Sequence, residues 1–390
     1  YQEYSVHISR NSSEVINSII TKTNTVIGGI LTPILMLISS TILLISIIGV
    51  LFLIDINIAL SAFIGFGVLY WLVIQYTKVR LKDNSQIIAD QSTQMIKSLQ
   101  EGLGGIRDVL IDGTQQFYCQ LYRSADLPLR RASGDNVFIS GSPRYIMEAI
   151  AMILIAVLAY TMSQQEGGMI MAIPILGALA IGAQRLLPAL QQAYSAYSTI
   201  KGSKISFQDV LVLMSQSLPK YADQPPGRPM TFLKEIKLTN LGFCYEKDSP
   251  WVLKNINLTL KKGSRIGFIG VTGSGKSTLL DIIMGLLPPT SGKLMIDQQS
   301  INSQNCKAWQ AHIAHVPQNI YLSDSTIEEN IAFGVDKEQI DHQRVKKVAK
   351  QAQIAELIND WKEGYQTFVG ERGVRLSGGQ RQRIGIARAL

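Results

Sequence analysis

Long apolar runs without charge alternate with polar segments over the first half of the chain. Residues 26–54 carry no charged side chain, and residues 56–76 form a second such run that only Asp55 separates from the first. An α-helix needs about 20 apolar residues to cross the hydrocarbon core of a bilayer. Two further runs, at about 145–165 and 167–190, are joined by a short turn. The pattern therefore predicts four membrane-spanning helices.

Basic residues predict the orientation of these helices. The connection 77–144 carries nine Lys and Arg residues, whereas the short turns at Asp55 and Glu166 carry none. Positive charge is retained on the cytoplasmic side of a membrane protein. Lys22 before the first run and Lys201 after the last one add positive charge at both ends. The long connection, both ends and everything that follows are predicted to be cytoplasmic.

Buried helices of a large soluble protein are the alternative to membrane spans. For the runs 145–165 and 167–190 taken alone, this alternative stays open. The adjacent uncharged runs 26–54 and 56–76 do not fit buried helices of a soluble protein, because both runs are long enough to span a bilayer. The basic residues on one side of both runs are a second argument for membrane spans. A hydrophobic content of 46% with 17% charged residues agrees with a membrane protein.

The net charge of +8 does not indicate a nucleic-acid partner, because no run of Lys or Arg exceeds two residues. Cys119, Cys244 and Cys306 lie far apart and match no metal or redox spacing, so they are predicted to carry no chemistry.

A proline cluster divides the chain near residue 220. The apolar content falls after it and Lys, Asp and Gln become frequent. We predict a membrane domain over 1–215, a linker over 216–230 and a second domain over 231–390. The prolines are Pro219, Pro225, Pro226 and Pro229.

The long connection between the second and third runs predicts helices that extend beyond the bilayer. Polar residues 83–100 continue the second span, and Gly102, Gly104 and Gly105 mark a reversal. The mixed segment 106–117 then either docks onto another domain or forms a solvated loop, and both interpretations remain open.

The second domain contains a phosphate-binding loop. Two strands are predicted in 253–270, the second over the apolar residues 266–269, and a helix is predicted from Lys276 to about Leu287. Glycines let backbone N–H groups surround a phosphate, the lysine pairs with its β and γ groups, and the hydroxyl of Ser277 binds Mg²⁺. The predicted phosphate-binding residues are Gly270, Thr272, Gly273, Ser274, Gly275, Lys276, Ser277 and Thr278.

A second helix start of the same chemistry follows at Leu376. Ser377, Gly378, Gly379 and Gln380 open an amphipathic helix that carries Arg381, Arg383 and Arg388 on its polar positions. One nucleotide hardly needs two such helix starts in one domain. The second start is therefore predicted to cover the γ-phosphate of a nucleotide held by another copy.

The LSGGQ motif of residues 376–380 resembles the signature of the ATP-binding-cassette family, and it follows the phosphate loop in the family's order. The resemblance implies an all-α membrane domain followed by an α/β P-loop NTPase domain. It also implies ATP and Mg²⁺ as cofactors, and ATP hydrolysis coupled to transport.

Further residues are assigned through this resemblance. Tyr245 looks like the aromatic residue that stacks on adenine, and Gln318 looks like the glutamine that reaches Mg²⁺ and senses the membrane domain. Residues 367–373 are similar to the stretch that touches the intracellular loops of exporters. Without the two stronger motifs, Tyr245 could equally be an ordinary aromatic residue of a strand, and Gln318 an ordinary turn residue. His312 and His315 lie on a predicted strand before Gln318 and are predicted to be structural.

The sequence departs from the family at its two ends. No aspartate-glutamate pair and no switch histidine follow the signature helix before Leu390, so no residue is assigned as the base that activates water. The chain starts at Tyr1 without methionine, and the first two spans of the family are expected ahead of it. The sequence is therefore expected to be a fragment.

The fused order resembles that of exporter half-transporters. The resemblance implies a dimer, either with a second copy or with a homologous half-transporter, in the inner (plasma) membrane. A soluble cassette ATPase acting on nucleic acid is the alternative from another class, and the spans argue against it.

Charge within the spans is the clue to the substrate. Arg185 lies in the fourth run, and Arg144 with Glu148 lies at the cytoplasmic end of the third. Arg185 either attracts an anionic headgroup or extends to the cytoplasmic interface, and both remain open. The sequence around these arginines resembles flippases of lipid-linked oligosaccharides. The leading hypothesis is such a flippase, with membrane lipid and an amphipathic substrate as partners; the alternative is an exporter of lipids, drugs or peptides.

Overall fold

The computed structural model describes the chain except residues 1, 55, 165–167, 217, 219–227 and 247–248, and some helix side chains are also outside the description. The described chain divides into two compact units. One is Val6–Ser217, and the other is Leu218–Leu390 together with Tyr1–Ser5. Most of the predicted linker 216–230 and both predicted turn residues, Asp55 and Glu166, lie outside the described residues.

The described residues of the first unit form helices joined by short turns. Two π-helical segments, Ser18–Lys22 and Ile27–Leu31, interrupt its first long helix. Its α-helices are α1 Tyr4–Ser9, α2 Ser12–Asn17, α3 Thr23–Val26, α4 Thr32–Ile54, α5 Ile56–Gly104, α6 Ile106–Ile111, α7 Gln115–Gly141, α8 Pro143–Ser163, α9 Gly168–Gly202 and α10 Lys204–Met214.

The described residues of the predicted spans are helical except Gln164, which lies in a turn. The span 26–54 begins in α3 and the second π-helical segment and continues in α4, and the other three lie in α5, α8 and α9. Among the described residues, two helical stretches have the length and hydropathy needed to cross a membrane, Ser12–Val50 and Gln115–Thr161. The second and fourth predicted spans include residues whose side chains lie outside the description. Helix α5 continues far beyond its apolar run to Gly104, as predicted for the polar residues 83–100. The chain turns at Gly105, so the helix includes the two preceding glycines that were expected to break it.

Helix α9 is the element around which the helical unit packs, since it contacts α4, α5, α7 and α8. Tyr70 of α5 and Tyr194 of α9 lie with their ring centroids 5.6 Å apart. Their neighbours Met147, Ala151 and Leu187 are also buried. Helices α5, α8 and α9 therefore share one core.

The π-helical segments bring the first helix close to α10. A Cβ atom added to Gly29 would lie 2.2 Å from the Oγ atom of Ser203, so only glycine fits there. The Nζ atom of Lys22 lies 2.5 Å from an oxygen of Asp209, and the Lys22 side chain is only 7% exposed. A buried charge needs such a partner, because an unpaired one is very costly to desolvate. This ion pair ties the start of the helical unit to its end.

The second unit combines a small antiparallel sheet with helices. The strands are β1 Glu235–Phe243, β2 Leu253–Lys261, β3 Ser291–Ile296 and β4 Gln299–Ser300, and the helices are α11 Lys276–Ile283, α12 Cys306–Gln310, α13 Ile327–Ile331, α14 His342–Gln351, α15 Ala355–Asn359 and α16 Gly378–Ala389. The strand order in the sheet is β2-β1-β3-β4.

Two hydrophobic clusters support this unit. One lies between the sheet and α11 and includes Leu238, Leu241 and Ile282, which are at most 1% exposed. The other joins α13, α14 and α15 to α16 and includes Ile327 and Ile384, both fully buried. The helix that follows the phosphate loop and the LSGGQ helix thus belong to different clusters.

Two predicted strands are wrong. Residues 264–270 have no strand conformation, and neither do the residues from His312 to Gln318. A strand is stabilised by ladder hydrogen bonds to a neighbour, and no described residue pairs with either segment in the sheet. Ile266 and Ile269 are accordingly 46% and 99% exposed. Their apolar character alone does not form a strand.

Asp297 is hydrogen-bonded to the start of the first strand, and these bonds should make the stability of the fold depend on pH. Its carboxylate accepts the backbone N–H groups of Leu233, Lys234 and Glu235, each at 2.8 Å. These bonds lower the pKa of Asp297. The bond from Leu233 has the largest effect, and the bond from Glu235 has the next largest. A lowered folded-state pKa stabilises the fold above the unfolded-state pKa of about 3.9, and this contribution is lost as pH falls through the folded-state value.

We therefore expect Asp297→Asn to lower the melting temperature of the intact protein in detergent at neutral pH, and the difference from wild type to shrink below about pH 4. Asp324→Asn, at an exposed aspartate, is the control. Thermal unfolding between about pH 3 and 7 measures the effect. A difference that does not change with pH would rule out the anionic carboxylate as its cause.

Candidate functional site

The phosphate loop is followed by a helix, and the residue directly before that helix has to be glycine. Gly275 precedes α11 with φ of 83°, in the left-handed region. A Cβ atom at this position would lie 2.8 Å from the Cδ2 atom of Leu253 and 3.2 Å from the carbonyl oxygen of Val252. The loop is thus packed against the start of β2, and the first N–H groups of α11 remain available for an anion.

Lys276 places its amine within the loop. The Nζ atom donates to the carbonyl oxygens of Gly270 at 2.7 Å and Val271 at 2.8 Å, and it lies 3.3 Å from the Oγ atom of Ser274. These bonds hold a positive charge beside the start of α11. A triphosphate fits this arrangement, because backbone donors, the helix N-terminus and a cation converge there.

Helix α11 ends earlier than predicted, at Ile283 instead of Leu287. Gly285 adopts a left-handed conformation with φ of 70°. The N–H group of Leu286 donates to the carbonyl oxygen of Asp281 at 2.9 Å, as in a Schellman C-cap. Gly285 therefore ends the helix, although the apolar residues that predicted it continue to Leu287.

Tyr245 lies over the same helix. Its hydroxyl group is 3.0 Å from the Oγ1 atom of Thr278, and its ring meets that of Phe243 edge to face at 5.0 Å. Tyr245 is 54% exposed, whereas Thr278 is 6% exposed. The structure therefore brings the predicted adenine-binding residue to the phosphate loop. The sequence placed Thr278 in the loop but gave no signal that it contacts Tyr245.

Gln318 lies in an exposed bend, and Ser277 is exposed near the start of α11. Their amide and hydroxyl oxygens are of the type that Mg²⁺ prefers. The described residues hold no group of three or more His, Cys, Asp or Glu side chains fit for a metal. A Mg²⁺ ion at this site would take its other oxygens from phosphate and water, as is common for nucleotide-bound Mg²⁺. The two Mg²⁺ assignments stay predictions.

The LSGGQ segment forms a capping box. The Oγ atom of Ser377 accepts the N–H of Gln380 at 3.3 Å, and the Oε1 atom of Gln380 accepts the N–H of Ser377 at 2.7 Å. No atom lies within 4 Å of a Cβ added to Gly378 or Gly379. The two side chains therefore fix the helix start, and the glycines leave its approach open.

Arg388 of α16 has a role that its position in the sequence does not reveal. Its Nε atom donates to the carbonyl oxygen of Asn330 at 2.9 Å, and one of its terminal nitrogens donates to that of Tyr321 at 3.0 Å. Burial lowers the pKa of Arg388. It was predicted to lie on the polar face of the helix with Arg381 and Arg383. Instead, it joins the end of α16 to the segment that follows Gln318.

His312 is exposed, but its ring contacts neighbouring residues, and its structural role stays a prediction. One ring nitrogen contacts the carbonyl oxygen of Met230, and the ring lies against Phe232 and Trp309. The segment 367–373 is held by α13, since Thr326 and Phe368 form a β-bridge. Its contact with intracellular loops stays a prediction.

The two arginines of the spans differ. The Nε atom of Arg144 lies 2.8 Å from a carboxylate oxygen of Glu148, so its charge is compensated. Arg185 is exposed on α9, and none of the described acidic side chains lies within ion-pair distance of it. Arg185 is therefore the better candidate for an anionic ligand.

Comparisons with known proteins agree with both units. The family model described as the ABC transporter matches residues 253–390, and the one described as the ABC transporter transmembrane region matches residues 1–169. The ATP-dependent lipid A-core flippase of Nitrosococcus oceani is 28% identical over 319 residues, covering 82% of this chain and 53% of that protein. The mitochondrial iron-sulfur clusters transporter atm1 of Neurospora crassa is 33% identical over 198 residues, covering 50% of this chain and 27% of that protein.

A solved structure supports the fold. The structure of a bacterial Atm1-family ABC exporter with ATP bound matches with a TM-score of 0.82 at 24% identity, covering 98% of this chain and 66% of that chain. The chain spans about half the length of the relatives that it matches over most of its own length.

Proposed function

Because this chain belongs to the ATP-binding-cassette transporters, with the membrane region before the cassette in one polypeptide, we propose that the protein hydrolyses ATP to move an amphipathic anionic substrate across a membrane. The favoured substrate is a lipid-linked oligosaccharide with a pyrophosphate headgroup. The favoured location is the inner (plasma) membrane, with the cassette in the cytoplasm.

The cassette would bind ATP with its phosphates at the start of α11. Lys276 would exchange its carbonyl partners for the β- and γ-phosphates, and Tyr245 would stack on adenine. Ser277 and Gln318 would hold Mg²⁺, which neutralises charge on the phosphates when bound. Ser377 and Gly378 would face the γ-phosphate of a nucleotide bound to the second copy. Each residue thereby contributes binding or charge in a site that two copies complete.

Arg185 is the observation that carries the substrate proposal. Its exposed guanidinium lies in the fourth predicted span and has no acidic partner among the described side chains. A cation on a membrane helix is costly, so its presence indicates a ligand or a pathway. Guanidinium groups bind phosphates through paired hydrogen bonds. The lipid A-core flippase among the relatives supports a lipid substrate, because its name describes the flipping of a lipid.

We expect Arg185→Ala to raise the concentration of lipid-linked oligosaccharide that half-maximally stimulates the ATPase by roughly ten- to a hundredfold. That factor is the loss of a charge-assisted hydrogen bond of about 1.5–3 kcal/mol. The assay uses the intact protein in liposomes. Arg144→Ala should have a smaller effect, because Glu148 already compensates this charge. Arg130→Ala, on a side chain that is 70% exposed and paired with Asp126, is the control.

Two outcomes would contradict the flippase proposal. One is an ATPase that does not respond to lipid-linked oligosaccharide, and the other is a response that Arg185→Ala leaves unchanged. Stimulation by drugs, peptides or neutral lipids instead would favour the alternative exporter function. A protein that carbonate washing releases from membranes would contradict transport altogether.

A further inference from the structure

Tyr245 is restrained at both ends of its ring. The ring edge meets Phe243 at 5.0 Å with an interplanar angle of 85°, and the hydroxyl lies 3.0 Å from the Oγ1 atom of Thr278. With 54% of the residue exposed, surface of the ring remains open to a ligand. A tyrosine at the end of a strand normally rotates about its Cα–Cβ bond, and these contacts restrict that rotation.

Thr278 is a fixed partner for this hydroxyl. It is 6% exposed and lies in the first turn of α11, two residues after Lys276. Its neighbours Leu279 and Ile282 are buried in the cluster beneath the sheet. This packing holds the Thr278 backbone in place. The Thr278 hydroxyl therefore determines where the Tyr245 ring lies relative to the phosphate loop.

We infer that Thr278 is a positioning residue for base recognition: its hydroxyl holds the Tyr245 ring in the orientation that accepts adenine while Lys276 binds the phosphates. This inference rests on the proposed nucleotide site. A ring that is already oriented loses less conformational freedom when the base stacks on it, and the affinity for ATP is higher for that reason. The hydrogen bond between Tyr245 and Thr278 thereby connects the residue that binds the base to the helix that binds the phosphates.

The test measures equilibrium binding of ATP and of tripolyphosphate to the intact protein, without Mg²⁺ so that turnover is suppressed. Tripolyphosphate has the phosphates of ATP but no base. Tyr245→Phe keeps the ring and removes the hydroxyl, Thr278→Val removes the partner, and Thr278→Ser keeps a hydroxyl. We expect each of the first two variants to weaken ATP binding by about three- to tenfold, the factor that one hydrogen bond contributes.

The double variant and the second ligand separate a positioning role from other roles. The double variant Tyr245→Phe/Thr278→Val should bind ATP no more weakly than Thr278→Val alone, because the bond that Tyr245→Phe removes is already absent in Thr278→Val. Thr278→Ser should bind ATP as wild type does. Tripolyphosphate affinity should be the same as wild type in Tyr245→Phe and Thr278→Ser, which also shows that the phosphate loop is folded. Thr278 is itself a predicted phosphate-binding residue, so Thr278→Val should weaken tripolyphosphate binding, but by a smaller factor than it weakens ATP binding.

Three results would overturn the inference. Tyr245→Phe could bind ATP as wild type does or more tightly, which would show that the hydrogen bond does not assist the base. Thr278→Val could weaken tripolyphosphate binding as much as ATP binding, which would make Thr278 a phosphate ligand only. The losses of the two single variants could also multiply. A wild-type protein that binds neither ligand would instead overturn the nucleotide site itself.

Discussion

Replacing Lys276 with alanine should lower ATP turnover of the intact protein by roughly a hundredfold or more, the effect expected when a preorganised charge is removed from a transferring phosphoryl group. The amine lies at the loop because two carbonyl oxygens hold it there, those of Gly270 at 2.7 Å and Val271 at 2.8 Å. Without it, the helix N-terminus alone would face the charge that develops on the phosphate. Turnover is measured by phosphate release in liposomes.

Lys261→Ala is the matched control, because this exposed lysine lies at the end of β2, whereas the loop packs against the start of that strand. It should leave turnover within about twofold of wild type, as surface substitutions usually do. Thermal melting shows whether either variant loses its fold. If Lys276→Ala melts as wild type does and keeps more than about a third of the turnover, the phosphate loop is not the catalytic site.

Replacing Gly378 with glutamate should lower turnover by a similar factor, while ATP binding to the phosphate loop stays near its wild-type affinity. The start of α16 is open, because no atom lies within 4 Å of a Cβ at this position. An acidic side chain stabilises a helix N-terminus, so the fold should tolerate it. The same charge would repel the γ-phosphate of a nucleotide that approaches from another copy.

Gly378→Ala is the control for bulk without charge, and it should retain most of the turnover. Binding is followed with a fluorescent ATP analogue and turnover by phosphate release. If Gly378→Glu hydrolyses ATP at the wild-type rate, the LSGGQ helix does not face a phosphate. If it fails to bind the analogue, the LSGGQ helix and the phosphate loop of one copy act on the same nucleotide, which would contradict a site shared between copies.

The two helix starts could be predicted from the sequence because their signals are local. Gly275 before Lys276 requires a left-handed backbone, and the structure shows φ of 83° there. Ser377 and Gln380 stand at capping-box spacing, and both bonds of the box are present. Such features depend on neighbours a few residues away, which the sequence shows directly.

The strand over residues 266–269 could not be decided in this way. Apolar residues before a phosphate loop are typical of a strand, but a strand also needs ladder partners, which are distant in sequence. The contact between Tyr245 and Thr278 is likewise non-local, since it depends on how β1 ends above α11. Arg388 reads as a polar-face residue, although it is half-buried between two carbonyl oxygens.

The helical unit shows the same division. Uncharged runs predicted where its helices lie, because apolar length is a local property. Whether each arginine pairs with an acidic residue was not predicted, although it is a local property as well. Arg144 stands four residues before Glu148 and forms an ion pair with it, whereas Arg185 has no such neighbour one turn away. An (i, i+4) check on the sequence would have separated them.

The central claim is that each ATP is held by the phosphate loop of one copy and the LSGGQ helix of another. The direct measurement is the amount of ATP occluded per dimer, in dimers purified through two different tags, without Mg²⁺ so that turnover is suppressed. With Lys276→Ala in one copy and Gly378→Glu in the other, one complete site remains, and about one ATP per dimer should be occluded. With both substitutions in the same copy and the other copy wild type, each site has one defect, and almost no ATP should be occluded. The reverse result, with ATP occluded only when both substitutions share a copy, would show that each copy builds its own site and would contradict the account.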